Sequence, residues 1–213
     1  MPDEREIGNR VKNGIIGVIR GTGEIAQATI ETVSDTAQTA VKGAGATGGA
    51  VAGLAVGAVK GAIATVGEVG SQTSETAADS VEAAVDSAAR IGSKVGSVTK
   101  GAVIGALRGS AEVGGEAMAT IQQTASGAVT EASEIGADIT TAAVGAVEGA
   151  IEAARQVGVS AEEAAAAAAT GAIEAAADIS DTAARRVRRS VEGTIKGVKV
   201  VARTALGKEN AAA

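Results

Sequence analysis

The sequence predicts an all-α protein: one long continuous α-helix with an 11-residue periodicity, joined along its length in a right-handed or nearly straight coiled-coil oligomer. Three observations predict it. A block of eleven residues recurs every 44 positions without insertion, apolar residues keep to fixed columns of that frame, and the only proline in 213 residues is Pro2.

The repeat comes first because it sets the frame. Ile15 to Ile25 (IIGVIRGTGEI) matches Val103 to Val113 (VIGALRGSAEV), and Val59 to Val69 (VKGAIATVGEV) lies midway. Further copies begin at Val147 and Val191, so the spacing is 44 residues, or four elevens. Cut into elevens from Ile15, the first and eleventh columns hold no charge, and the fifth and eighth hold one each, Glu162 and Glu209. Eleven residues in three turns is about 3.67 per turn, close to a relaxed α-helix. On that wheel columns eleven, four, eight, one and five form an apolar arc, and columns nine, two, six and ten form a charged face. A strand would show period two instead.

Residues 1–14 read as a charged lead-in, residues 15–206 as the repeat helix, and residues 207–213 as a short tail. A hairpin loop of a few residues would usually shift the phase, and the frame is unbroken. A straight rod of about 200 residues would be on the order of 300 Å long. Were the rod to fold back, the Gly-rich runs Gly43 to Gly49 and Gly114–Gly115 are where it would do so. The expected interface core is Ile15, Val18, Ile19, Ile30, Val41, Val51, Val59, Ile63, Val66, Val81, Val85, Val103, Leu107, Val129, Val147, Ile151, Ile173, Val191 and Ile195.

The chain holds 30 Gly, each disfavouring helix by roughly 1 kcal/mol relative to Ala. A lone helix of this composition is not stable, so the apolar arc has to be buried against a partner. Gly45, Gly49, Gly53, Gly57 and Gly61 recur every four residues, as do Gly101, Gly105 and Gly109, and Gly145 and Gly149. With Gly17 and Gly193, which keep the 44-residue register, these are the expected close-packing positions, where small side chains let backbones approach.

Composition excludes much else. There is no His, Cys, Phe, Tyr or Trp, so the common general bases, nucleophiles and soft metal ligands are missing. We expect no enzyme activity, no metal and no cofactor. Adjacent carboxylates such as Glu162 and Glu163 diverge on a helix, and no Gly-rich run has the strand, Lys-Ser/Thr and helix context of a phosphate loop. Net charge is −6 with interspersed signs, which is no footprint for nucleic acid. One basic cluster stands out, Arg185, Arg186, Arg188 and Arg189. It reads as a solvated face near a helix C-terminus or as a site for acidic lipid or an acidic partner. The charge-free run from Gly43 to Val59 is at the short edge of what spans a bilayer. No signal peptide is evident, and a cytoplasmic address is the default, with membrane association as the alternative.

The columns resemble the hendecad coiled coils, whose apolar positions one, four, five and eight match those here from Ile15 to about Leu206. The resemblance implies parallel homo-oligomers used as stalks, spacers or filaments. The stretch from Val41 to Val56 (VKGAGATGGAVAGLAV) is similar to the 11-residue lipid-binding helices of synucleins and perilipins, which implies an apolar arc laid on a membrane, a lipid droplet or another apolar interface. Weaker likenesses run to the desiccation-protective 11-residue repeats, at Asp35 to Gly43, and to Ala-rich ice-binding helices. The expectation is a structural, self-assembling protein whose partner is itself, with interface coating as the alternative.

Overall fold

A computed structural model describes residues 53, 55–61, 63, 73–90, 94–112 and 116–203. Six helices follow one another: α1 (Thr73–Arg90), α2 (Val95–Glu112), α3 (Ala117–Glu134), α4 (Ile139–Val157), α5 (Ala161–Ile179) and α6 (Asp181–Val191). Residues 55–61 are also helical. The chain then forms a two-stranded antiparallel hairpin, β1 (Gly193–Ile195) and β2 (Val198–Val200).

The single continuous helix is therefore corrected, and with it the long coiled coil and the filament built from it. The repeat is a stack of short helices. α1, α2 and α3 each have 18 residues, and α1 to α5 begin at 73, 95, 117, 139 and 161, a step of 22. A helix of 18 residues plus a turn of four consumes two elevens. The turns therefore leave the 11-residue frame intact, which is why an unbroken frame did not mean an unbroken helix. The 44-residue unit is a pair of helices.

The turns are built locally. Gly136 has φ +69 and Gly158 φ +80, the left-handed conformation that glycine adopts without strain. Ala137 N–H donates to the Ala132 carbonyl at 2.7 Å, and Val159 N–H to Ala154 at 3.1 Å, closing α3 and α4. The next helices start on side-chain caps. Asp138 accepts from Thr140 N at 2.8 Å, and Ser160 Oγ from Glu163 N at 3.2 Å. Ser180, with extended φ, ends α5 and caps α6 through Ala183 N.

α1 packs most closely on α3, α2 on α4 and α3 on α5, while α6 packs most closely on α5. Contacts between consecutive helices join two layers, with α1, α3 and α5 in one and the 55–61 helix, α2, α4 and α6 in the other. The core between the layers is Ala-rich and is filled by Val103, Leu107, Ile121, Val129, Val147, Ile151 and Ile173, with Val59, Ile63, Val81 and Val85 in an adjoining cluster. The apolar arc is thus buried within one chain.

The fifth copy of the repeat departs from the described earlier copies. Its counterparts at Val59, Val103 and Val147 lie in helices, whereas from Gly193 onward the fifth is the hairpin. Its residues explain the switch. Thr194, Ile195, Val198, Val200 and Val201 are β-branched. Lys196 (φ 50) and Gly197 (φ +78) supply the two positive-φ positions of a tight hairpin turn.

Candidate functional site

The chemistry-bearing residues gather at the joints between helices of one layer and at the C-terminal end. At the joints glycine faces backbone. A Cβ on Gly105 would lie 2.5 Å from the Val56 carbonyl oxygen, on Gly149 2.6 Å from that of Lys100, and on Gly109 2.9 Å from Ile63 Cβ. On Gly145 and Gly171 it would overlap the carbonyls of Gly96 and Gln122. These contacts obey one rule: 105 and 56, 109 and 60, 145 and 96, 149 and 100, 171 and 122 are each 49 residues apart. α2, α4 and α5 thus each sit five residues, about 7 Å, along the equivalent helix one repeat earlier, whereas Gly127 on α3 faces the side chain of Glu82, 45 residues away.

Polar rungs cross the same joints. Lys60 pairs with Glu112 at 2.6 Å and Lys100 with Glu152 at 2.7 Å, and Gln122 Nε2 donates to Glu174 at 2.8 Å, all 52 residues apart. Arg108 donates to Gln156 at 2.7 Å and Lys196 lies 3.7 Å from Glu148, both 48 apart. The offsets are one repeat plus two helical turns, or plus one. The partners are partly exposed, so each rung sets alignment more than stability.

One joint is acidic. Glu82 on α1 lies against Gly127 on α3, where an added Cβ would sit 2.7 Å from its Oε1. Burial pushes its carboxyl up to about 7, helped by the like charges of Asp79, Glu131 and Glu134. At the α4 cap, the Thr140 hydroxyl and backbone N–H groups hold the Asp138 carboxyl below its ordinary value. A groove of about 500 Å³ runs over α2 and α4, lined by Lys94, Ser97, Lys100, Thr140, Thr141, Val144, Glu148 and Ser190 among others. Among the described residues no group of carboxylates is arranged to hold a metal ion.

Of the residues proposed as an interface core, Val59, Ile63, Val81, Val85, Val103, Leu107, Val129, Val147, Ile151, Ile173 and Val191 are buried inside this one chain. Ile195 is half-buried on β1. Ile15, Val18, Ile19, Ile30, Val41, Val51 and Val66 lie outside the described residues. Of the glycines, Gly57, Gly61 and Gly101 are buried, and Gly105, Gly109, Gly145 and Gly149 make the contacts above. Gly53 has nothing within 4 Å of an added Cβ, and Gly193 (φ +123) opens the hairpin. Gly17, Gly45 and Gly49 lie outside the described residues, as does most of the run from Gly43 to Val59. No described helix is long and apolar enough to cross a membrane. Glu162, placed in the apolar arc by its column, is exposed in the first turn of α5.

The C-terminal end is a cap of α6 and the hairpin. Ala183, Val187 and Val191 are its buried helical face, and Val198 and Val200 the buried face of β2. Arg155 donates to the Lys196 carbonyl at 3.1 Å and Arg203 N–H to Thr170 Oγ1 at 2.9 Å, fixing the hairpin to α4 and α5. The basic cluster sits here, with Arg185, Arg186 and Arg189 exposed and Arg188 half-buried.

Sequence reasoning missed the helix-pair joints. The signal was present: Gly48, Gly70, Gly92, Gly114, Gly136 and Gly158 recur every 22 residues in the first column. That is the interval of the turns.

No family model matches the chain, and no curated protein matches it. Among solved structures it is similar to a de novo designed helical repeat protein, with 24% sequence identity and a TM-score of 0.49 over 80% of this chain and 92% of that one.

Proposed function

We propose that this protein is a structural helical-repeat scaffold and not a catalyst. The observation that carries the reading is the recurring joint: glycine against carbonyl at an offset of 49 residues in α2, α4 and α5, with rungs at 52 or 48. Joints of one geometry make length adjustable by whole repeats while the cross-section stays the same, which suits a spacer or mount. The carboxylates of Glu112, Glu148, Glu152 and Glu174 are engaged in rungs, and the chain has no His or Cys to work beside them.

A partner was expected as a condition of folding. Here the arc of each described helix is covered by its neighbours, so helical structure should not need a second copy. Coating an apolar interface with the same arc would require these helices to leave their core. Circular dichroism together with sedimentation equilibrium over a wide concentration range tests the reading. Helicity that is strong and independent of concentration, in buffer without lipid, supports it. Helicity that rises with concentration would restore an obligate homo-oligomer, and helix formed only with vesicles would restore the interface coat.

A further inference from the structure

We propose that the C-terminal cap is a docking surface for an anionic lipid bilayer. Residues 181–203 carry seven cations, Arg185, Arg186, Arg188, Arg189, Lys196, Lys199 and Arg203, against two carboxylates, Asp181 and Glu192, in a chain of net charge −6. The structure turns this excess outward. α6 and β2 both pack their apolar faces on α5. Arg185, Arg186, Arg189 and Lys199 point away from it and are exposed. Among the described residues Arg185 is tied to Thr182 of its own helix, at 3.2 Å.

In the cap Lys196 lies 3.7 Å from Glu148, but the exposed arginines of α6 do not repeat the pairing of the two lysines in the stack. Lys60 and Lys100 reach a carboxylate one repeat on. Among the described residues, Arg186, Arg189 and Lys199 form no ion pair.

A second observation selects lipid over other polyanions. The large apolar side chains exposed among the described residues are Ile179, at 44%, and Val201, at 57%, and both adjoin this cap. Val198 and Val200 are buried and Lys199 is exposed, so strand alternation carried one residue past β2 places Val201 on the same outward face as Lys199. Cations flanking an exposed valine or isoleucine suit a headgroup layer, where the charge meets phosphate and the apolar side chain enters the acyl boundary. Nucleic acid or an acidic polypeptide would leave those two side chains unexplained, and the chain has no aromatic ring on which to stack a base. With the cap at the end of the stack, the acidic repeats extend away from the bilayer, beyond a screening length of about 8 Å.

The test is flotation of the full chain with phosphatidylcholine vesicles, with and without phosphatidylserine, over a salt series. Binding is expected only with phosphatidylserine, weakening as salt rises. The combined variant R185Q, R186Q and R189Q, with helicity checked by circular dichroism, should lose at least about tenfold in partitioning. V201S should weaken binding and leave the salt slope unchanged. Equal binding to both vesicles, or full binding by the triple variant, overturns the proposal. So does displacement from vesicles by stoichiometric duplex DNA or polyglutamate, which would assign the cap to nucleic acid or to an acidic polypeptide.

Discussion

At the scale of single residues, glycine has opposite meanings along one chain. A Cβ on Gly171 falls on the Gln122 carbonyl, and backbone cannot step aside without opening the α3–α5 joint. Gly171→Ala gains up to about 1 kcal/mol of helix propensity and should still be destabilised on balance, by about 1–3 kcal/mol. Gly53 faces open space, so Gly53→Ala should be stabilised by up to about 1 kcal/mol. Denaturant midpoints of the two variants check the difference in sign. Glu82 offers a pH test at the same scale. Its folded carboxyl titrates near 7 against an ordinary 4.5, so the folded state holds the extra proton between those values. Its contribution to stability is therefore complete below the lower value, falls as pH rises through that window and levels off above it. Partial solvation of the carboxylate limits the effect to about 1–2 kcal/mol. Glu82→Gln should flatten this part of the stability profile and raise the melting temperature at pH 8, as thermal unfolding between pH 5 and 8 would record.

At the scale of elements, capping and turn chemistry decide where the repeat folds back. Asp138→Ala removes the acceptor for Thr140 N and should cost about 1 kcal/mol, with accelerated hydrogen exchange in the first turn of α4. Because the folded Asp138 carboxyl is held below its ordinary value, the wild-type advantage is complete above the unfolded carboxyl range and is lost as pH falls through the folded value. Gly197→Val should cost on the order of 1–2 kcal/mol, because φ +78 in the hairpin turn is strained for a β-branched residue. Much of this scale was legible in the sequence. The helical period, the columns facing the core and the 44-residue unit can all be read from Ile15 to Val191. The helix ends were obscured, because 18 residues of helix plus four of turn make two elevens and no proline marks a break. The fifth column held the clue. Ile63, Val85, Leu107, Val129, Ile151 and Ile173 are large and buried, and they alternate with Gly96, Met118, Thr140 and Glu162 in the first turns of α2 to α5. A single long helix has no reason to alternate buried branched aliphatic residues with Gly, Met, Thr and Glu in one column with period 22. The last copy was obscured for a different reason: its column pattern is kept, while β-branched residues and Lys196–Gly197 change the local preference from helix to hairpin.

At the scale of the whole molecule, stability in a stack of equivalent joints is the sum of repeat terms and nearest-neighbour contacts. Removal of residues 116–159, one 44-residue unit, joins Gly115 to Ser160 and keeps the cap of α5. α5 then takes the place of α3 on α1 and α2, and α6 with the hairpin takes the place of α4. The columns agree: Gly171 falls where Gly127 met Glu82, and Ile173 where Val129 was buried. The mismatches are Ala165 in the place of Ile121, a core deletion worth about 2–4 kcal/mol, and Arg186 and Arg189 of α6 in the places of Ala142 and Gly145. The shortened chain should therefore fold with unchanged helicity per residue and a lower melting temperature, and its urea m-value should fall roughly in proportion to the residues removed. An unfolded or aggregated product would mean that distant repeats depend on one another, and the picture of independent, equivalent joints would fail with it. A folded product would make repeat number the variable that sets the length of the scaffold, with the basic cap carried unchanged at its end.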